Sequence, residues 1–251
     1  LSFLLFLARA VLVVAWMMLG LSLVLLAFPV LARSVRSAVN LRWSRILVWL
    51  CGVAVRVQGE PDRTRPVLWV ANHVSWIDVF ILNSVRTLSF IAKSEIRRWP
   101  LIGRLVAGSG TIFIERGQRH AVRRVGRQME AHFQRGEAIG LFPEGTTSPG
   151  FDVAPFHSSL FDAAIRAQAD IQPVALRFFH RGKRSDYVAF VGEQNLVQNL
   201  WCLLGATNVV VELEFLPVMS SAYCQEQGRS KVAEQAHQEI LDAVQPGTGD
   251  D

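Results

Sequence analysis

Apolar and polar positions divide the chain into a long greasy start and a region of short alternating elements. Residues 10–32 (AVLVVAWMMLGLSLVLLAFPVLA) carry no charge. A helix of that length reaches about 34 Å at about 1.5 Å per residue, enough for a hydrocarbon core of about 30 Å. The run is longer than the apolar region of a cleaved signal, and no short basic segment precedes it. It therefore predicts a membrane helix that Pro29 kinks or ends. Residues 46–55 form a second apolar stretch, too short to span, with Trp43 and Trp49 placed as interfacial rings. One spanning helix with a surface helix, and a two-helix hairpin buried in one leaflet, both fit this pattern.

Beyond it, β-rich runs recur at 53–57, 67–71, 88–92, 111–114, 138–142, 174–178, 187–191 and 209–215. Helical spacing fills 76–84, 118–135 and 159–168, and 230–243 reads as a closing helix. In 118–135 the stripe Val122, Val125, Met129 and Phe133 opposes an arginine-rich face. Strands alternating with helices predict an α/β fold: a mixed, largely parallel sheet flanked by helices, with N-terminal membrane-associated helices. The division expected is an anchor over 1–50, one globular domain over 51–244 and a flexible tail over 245–251.

Composition narrows the class. Of 251 residues, 51% are hydrophobic and 19% charged, which excludes a disordered chain. A single long apolar run excludes a many-helix transporter. The net charge of +5 is nearly all arginine, since only Lys93, Lys183 and Lys231 are lysines. Arg33, Arg36, Arg42 and Arg45 follow the apolar run and Arg9 alone precedes it, so the domain is expected on the cytoplasmic face of the inner membrane. Three scattered cysteines without a CxxC suit a reducing compartment. The basic segment 93–104, beside Trp99, suits anionic lipid headgroups, an acidic acyl carrier protein or the phosphates of acyl-CoA. No recognised nucleic-acid motif accompanies the charge, so nucleic acid is not an expected partner.

Three motifs lie at predicted strand ends, where α/β folds gather their chemistry. Asn72-His73-Val74-Ser75-Trp76-Ile77-Asp78 follows the strand 67–71. On a continuous helix His73 and Asp78 would diverge. With Ser75 capping the helix, His73 stays in the loop and can fold back so that Asp78 orients its imidazole as a base. Ser75-x-x-Asp78 by itself also reads as a capping box with no chemistry. Gly110-Thr111-Ile112-Phe113-Ile114-Glu115-Arg116 ends a strand in a charged pair, open to a phosphate or to a plain surface ion pair. Phe142-Pro143-Glu144-Gly145-Thr146-Thr147 presents a carboxylate and hydroxyls on a stiff turn.

Together these motifs resemble the glycerolipid acyltransferases that include the 1-acylglycerol-3-phosphate acyltransferases, with lyso-ornithine lipid acyltransferases as close relatives. NHxxxxD matches Asn72, His73 and Asp78; GxxFIxR matches Gly110, Phe113, Ile114 and Arg116; FPEG matches Phe142 to Gly145. Pro173 resembles a fourth motif. The resemblance implies transfer of an acyl group from acyl-CoA or acyl carrier protein to the free hydroxyl of a lysolipid. His73 would be the general base and Asp78 its orienting partner, while Arg116, Glu144, Gly145 and Thr146 bind the acceptor. It implies no bound cofactor and no metal, and the sequence has no HExxH or paired Cys/His spacing. Two positions depart from the lysophosphatidate-using pattern: Thr147 stands where those members often have Arg, and His157 where they often have Lys. That keeps lysophosphatidate and lyso-ornithine lipid both open as acceptors. A non-catalytic lipid-binding protein is the alternative of another class. A serine lipase lacks its G-x-S-x-G elbow.

Overall fold

The computed structural model describes residues 2–99, 102–108, 110–114 and 119–245. Helix α1 (Ser2–Ser22) continues as a π-helical turn (Leu23–Ala27) and stops just before Pro29. It starts earlier than the uncharged run predicts, because Ser2 to Ala8 is also apolar and Arg9 is satisfied by the fold itself. The Arg9 guanidinium donates to the carbonyls of Leu204 (3.1 Å) and Ala206 (2.5 Å) at the end of another helix. Helix α2 (Arg33–Leu50) folds back along α1. Trp16 and Trp43 stack at 6.4 Å, and each indole N–H donates to the other's backbone carbonyl.

Eight strands form one sheet: β1 (Val53–Gly59), β2 (Val67–Ala71), β3 (Leu88–Lys93), β4 (Ile112–Ile114), β5 (Ala138–Leu141), β6 (Asp170–His180), β7 (Lys183–Arg184) and β8 (Val209–Phe215). Their order is β1-β8-β6-β2-β5-β3-β4, with β7 hairpinned onto β6. From β6 to β4 every neighbour is parallel, while the parallel pair β1–β8 joins β6 antiparallel. The sheet is therefore mixed and largely parallel, as the alternation predicts. The five residues of β2 are all buried, as a strand covered on both faces requires.

Helices α3 (Asp78–Asn83), α4 (Ile102–Gly108), α5 (Arg119–Gln134), α6 (Phe161–Arg166), α7 (Leu196–Gly205) and α8 (Ser221–Val244) complete the fold. One core gathers α2, α3 and α7 on one face; the other gathers α5, α6 and α8 on the opposite face. In α5 the predicted stripe holds, with Val125, Met129 and Phe133 buried.

Several expectations change, and α4 is a helix that the pattern does not show. Residues 187–191 are not a strand: Ala189 N–H donates to the Asp186 carbonyl and Phe190 N–H to the Val74 carbonyl, so these donors serve a turn packed on the loop that follows β2. Helix α7 was not predicted, since ten residues without a charge give no polar face to read. Helix α8 begins at Ser221 rather than 230, and its break at Gly228, φ +74°, hides the continuity of its pattern.

Candidate active site

Strands β2, β3, β4 and β5 run parallel, so their carboxyl ends share one edge of the sheet, and the first and third motifs meet there. Helix α3 starts at Asp78, with Asp78 N–H donating to the Ser75 carbonyl. Ser75 does not cap it: its hydroxyl is buried and unpartnered. The chain instead wraps around the Asp78 carboxylate, which is fully buried. Its Oδ2 accepts from the N–H of Val74 (2.7 Å) and Ser75 (2.8 Å) and lies 2.9 Å from His73 Nδ1. A carboxylate only accepts, so the proton sits on Nδ1 and the lone pair of Nε2 is left for a substrate. The His73 side chain is 20% exposed.

Every other handle of His73 is held. Its N–H donates to Glu144 Oε1 at 2.7 Å, and its carbonyl accepts from Ser148 N–H at 2.8 Å. Its ring stacks on Phe142 at 4.0 Å, with Phe90 stacked behind Phe142 at 5.6 Å. Gly140 leaves room for that Phe90 ring, since a Cβ there would lie 2.3 Å from it. One residue earlier, the buried Asn72 amide bridges to β6, donating to the Leu176 carbonyl and accepting its N–H at 2.8 Å. Asn72 thus extends the β2–β6 pairing by one residue and fixes where the His73 loop begins.

Glu144 occupies the centre of the third motif, but both its oxygens serve backbone. Oε1 accepts from His73 and Oε2 from Ala154 N–H at 2.9 Å. Burial pushes its carboxyl above the usual range, with those two donors and the nearby imidazole pulling it partway back. Gly145 adopts φ +74° to make the turn, and Thr146 is exposed beyond it. Thr147, in the position often taken by Arg, donates its hydroxyl to the Phe190 carbonyl. Arg116 lies outside the described residues.

A cavity of about 500 Å³ opens beside this cluster. Ile91, Ile114, Val122 and Leu160 give it an apolar wall. Glu144, Gly145, Thr146, His157 and Ser159 line its polar side, and Phe142 lines it as well as backing His73. Apolar walls with a few convergent polar groups suit an amphiphile. Among the described residues no group of three or more His, Cys, Asp or Glu side chains is placed to hold a metal. The sequence motifs located His73, Asp78 and Glu144 but not their supports. Phe90, Gly140, Ser148 and Phe190 lie outside them or were given no role, and only the register of the sheet brings them together.

Residues 54–177 match the family model described as Acyltransferase. A lyso-ornithine lipid O-acyltransferase of Pseudomonas aeruginosa is 37% identical over 186 residues, 74% of this chain and 70% of that one. One of Brucella abortus is 35% identical over 224 residues, 82% and 84% of the two chains. A 1-acyl-sn-glycerol-3-phosphate acyltransferase of Neisseria gonorrhoeae is 36% identical over 163 residues, and this chain spans a little under two thirds of its length. The crystal structure of the 1-acyl-sn-glycerophosphate acyltransferase from Thermotoga maritima superposes with a TM-score of 0.72 at 20% identity. That match covers 97% of this chain and 94% of the other. It shows the same fold.

Proposed function

Because this chain belongs to the acyltransferase family, we propose that it moves an acyl group from a thioester donor to the free hydroxyl of a lysolipid, with His73 as general base. The hydrogen bond between His73 Nδ1 and the buried Asp78 carries the reading, because it leaves Nε2 as the proton acceptor of a residue held against Phe142 and Glu144, two of the residues that line the cavity. Nε2 takes the proton of the acceptor hydroxyl as its oxygen attacks the thioester carbonyl, and Asp78 stabilises the imidazolium that forms. Collapse of the tetrahedral intermediate expels the thiolate of coenzyme A or of an acyl carrier protein, which recovers the proton. Glu144 acts by holding the His73 backbone, while Thr146 and Gly145 border the acceptor, and Arg116 is assigned to its headgroup. No metal enters the chemistry.

The acceptor is taken as a lysophospholipid such as 1-acylglycerol-3-phosphate. A specific observation favours lyso-ornithine lipid as a second reading: Thr147 spends its hydroxyl on Phe190, and His157 is the one nitrogen-bearing side chain among the described cavity-lining residues. Assays with lysophosphatidate and lyso-ornithine lipid in parallel separate the two. In either assay His73→Ala is expected to abolish turnover and leave membrane association intact; full activity in that variant refutes the mechanism.

Residues 1–50 serve as the anchor and 51–244 as the catalytic domain. Helix α1 touches the domain from Phe6, packed on Trp201, to Val24, beside Gly108. That is about 27 Å of its length at about 1.5 Å per residue. A helix held along one side by a folded domain presents only its outer stripe to lipid. This supports a hairpin in one leaflet over a spanning helix, while Arg33, Arg36, Arg42 and Arg45 after the apolar run support placing the domain on the cytoplasmic side of the inner membrane.

A further inference from the structure

Helix α7 has no part in the motifs, yet it touches both the anchor and the catalytic loop. Inward, the fully buried Asn199 accepts from the Trp76 indole at 2.8 Å and donates to the Ala189 carbonyl at 2.9 Å. Trp76 belongs to the His73–Asp78 loop. Outward, Val197 and Trp201, one turn apart, are 73% and 49% exposed. The Trp201 ring meets Phe6 at 4.4 Å and Phe3 at 6.1 Å on α1, and Arg9 ties the two helices by donating to the α7 end. On α1 the exposed face continues through Leu4, Leu7, Val11 and Leu12.

We propose that α7 is a second membrane-contacting element: its outer face and the first turns of α1 form one apolar surface that sits in the hydrocarbon of the leaflet carrying the acceptor, beside the His73 loop. The occupant follows from chemistry and continuity. No residue of α7 is charged, and its surface merges with a 26-residue apolar helix that holds an 18-residue stretch of mean hydropathy 2.6. A protein partner would meet an apolar centre ringed by polar side chains. Here polar residues border α7 at its entry (Glu193, Gln194, Asn195), within it (Gln198) and beyond its end (Thr207, Asn208), but on the α1 side the apolar strip runs on through Leu4, Leu7, Val11 and Leu12. Tryptophan at the margin of such a strip suits the lipid–water boundary. An acceptor lipid could then reach His73 by sliding sideways within the leaflet.

Two measurements test this on the full chain. The fluorescence difference between the parent and Trp201→Phe isolates Trp201. In phosphatidylethanolamine–phosphatidylglycerol vesicles, lipids brominated on their acyl chains are expected to quench that difference by half or more. An unquenched Trp201 on vesicle-bound protein overturns the proposal, as does its burial in a dimer that forms without lipid. This measurement needs no turnover, so it stands apart from the acyltransferase reading. The second rests on that reading: Val197→Glu is expected to slow transfer to a vesicle-embedded acceptor at least tenfold and to leave transfer to a short-chain, water-soluble acceptor unchanged. Gln128→Glu, a matching charge on α5 across the sheet, should change neither. Equal loss on both acceptors, or none on either, counts against α7 as a lipid contact.

Discussion

Replacing Asp78 by Asn separates the charge of the carboxylate from its geometry. The three donors at this site, His73 Nδ1 and the N–H groups of Val74 and Ser75, all fall on Oδ2, and the buried Oδ1 has no partner. An asparagine can therefore place its carbonyl oxygen where Oδ2 was and keep all three hydrogen bonds, the loop path and the Nδ1–H tautomer. It loses the negative charge facing the imidazolium of the transition state. With charge centres about 4 Å apart and an effective dielectric constant of about 20, that attraction is about 4 kcal/mol. At about 1.4 kcal/mol per decade, kcat should fall about 1,000-fold. The new amide N–H₂ would occupy the unpartnered Oδ1 position, costing about 1–3 kcal/mol of stability. Single-turnover rates with a radiolabelled acyl donor, set beside thermal unfolding of the same preparation, read both effects. An Asp78→Asn protein that stays folded and keeps more than a tenth of the parental rate would refute the electrostatic role.

Two further outcomes follow from the packing. Gly140→Ala should drive the Phe90 ring from its place behind Phe142, an overpacking cost of about 1–3 kcal/mol, seen as a lower melting temperature. Because Phe142 backs His73, kcat should drop more than KM rises; an unchanged melting temperature would show that the ring stack is slack. Glu137 sits 2.5 Å from His132 Nδ1, 3.2 Å from Arg135 and 2.8 Å from Arg33 of α2. Burial alone would raise its carboxyl, but His132 and Arg135 outweigh that and bring it from 4.5 down to about 2. Its contribution to stability is full above pH 4.5 and fades as pH falls toward 2, so Glu137→Gln should flatten the acid limb of an unfolding-versus-pH series. An equally steep limb in the variant would assign acid sensitivity elsewhere.

The convergence of the first and third motifs was legible because parallel strands deliver their carboxyl ends to one edge, so motifs far apart in sequence had to meet there. Seven of the eight predicted strand runs overlap parallel-paired strands of the sheet, and in β2 and β5 full burial demands apolar residues in both side-chain directions. What escaped depends on partners that pattern cannot name. Residues 187–191 look like a strand, yet their N–H groups are spent on Asp186 and Val74. Glu144 is legible as the motif carboxylate, but the His73 and Ala154 N–H groups that hold its oxygens are not, because only the folded loop supplies them. Ser75 reads as a cap, yet the chain turns about Asp78 instead. Helix α7 escaped because an apolar ten-residue run does not tell helix from strand by its period.

The pairing of β1 with β8 and of Asn72 with Leu176 also sets a timetable for synthesis. The His73 loop is anchored to a residue 104 positions downstream, and β1 finds its register only against a strand that begins at Val209. Such distant parallel pairings form slowly and late. Helix α1, by contrast, is translated well before the α7 carbonyls that will receive Arg9. The nascent chain thus presents its apolar helix long before the His73 loop is fixed, and the site is complete only when the last strand closes the sheet.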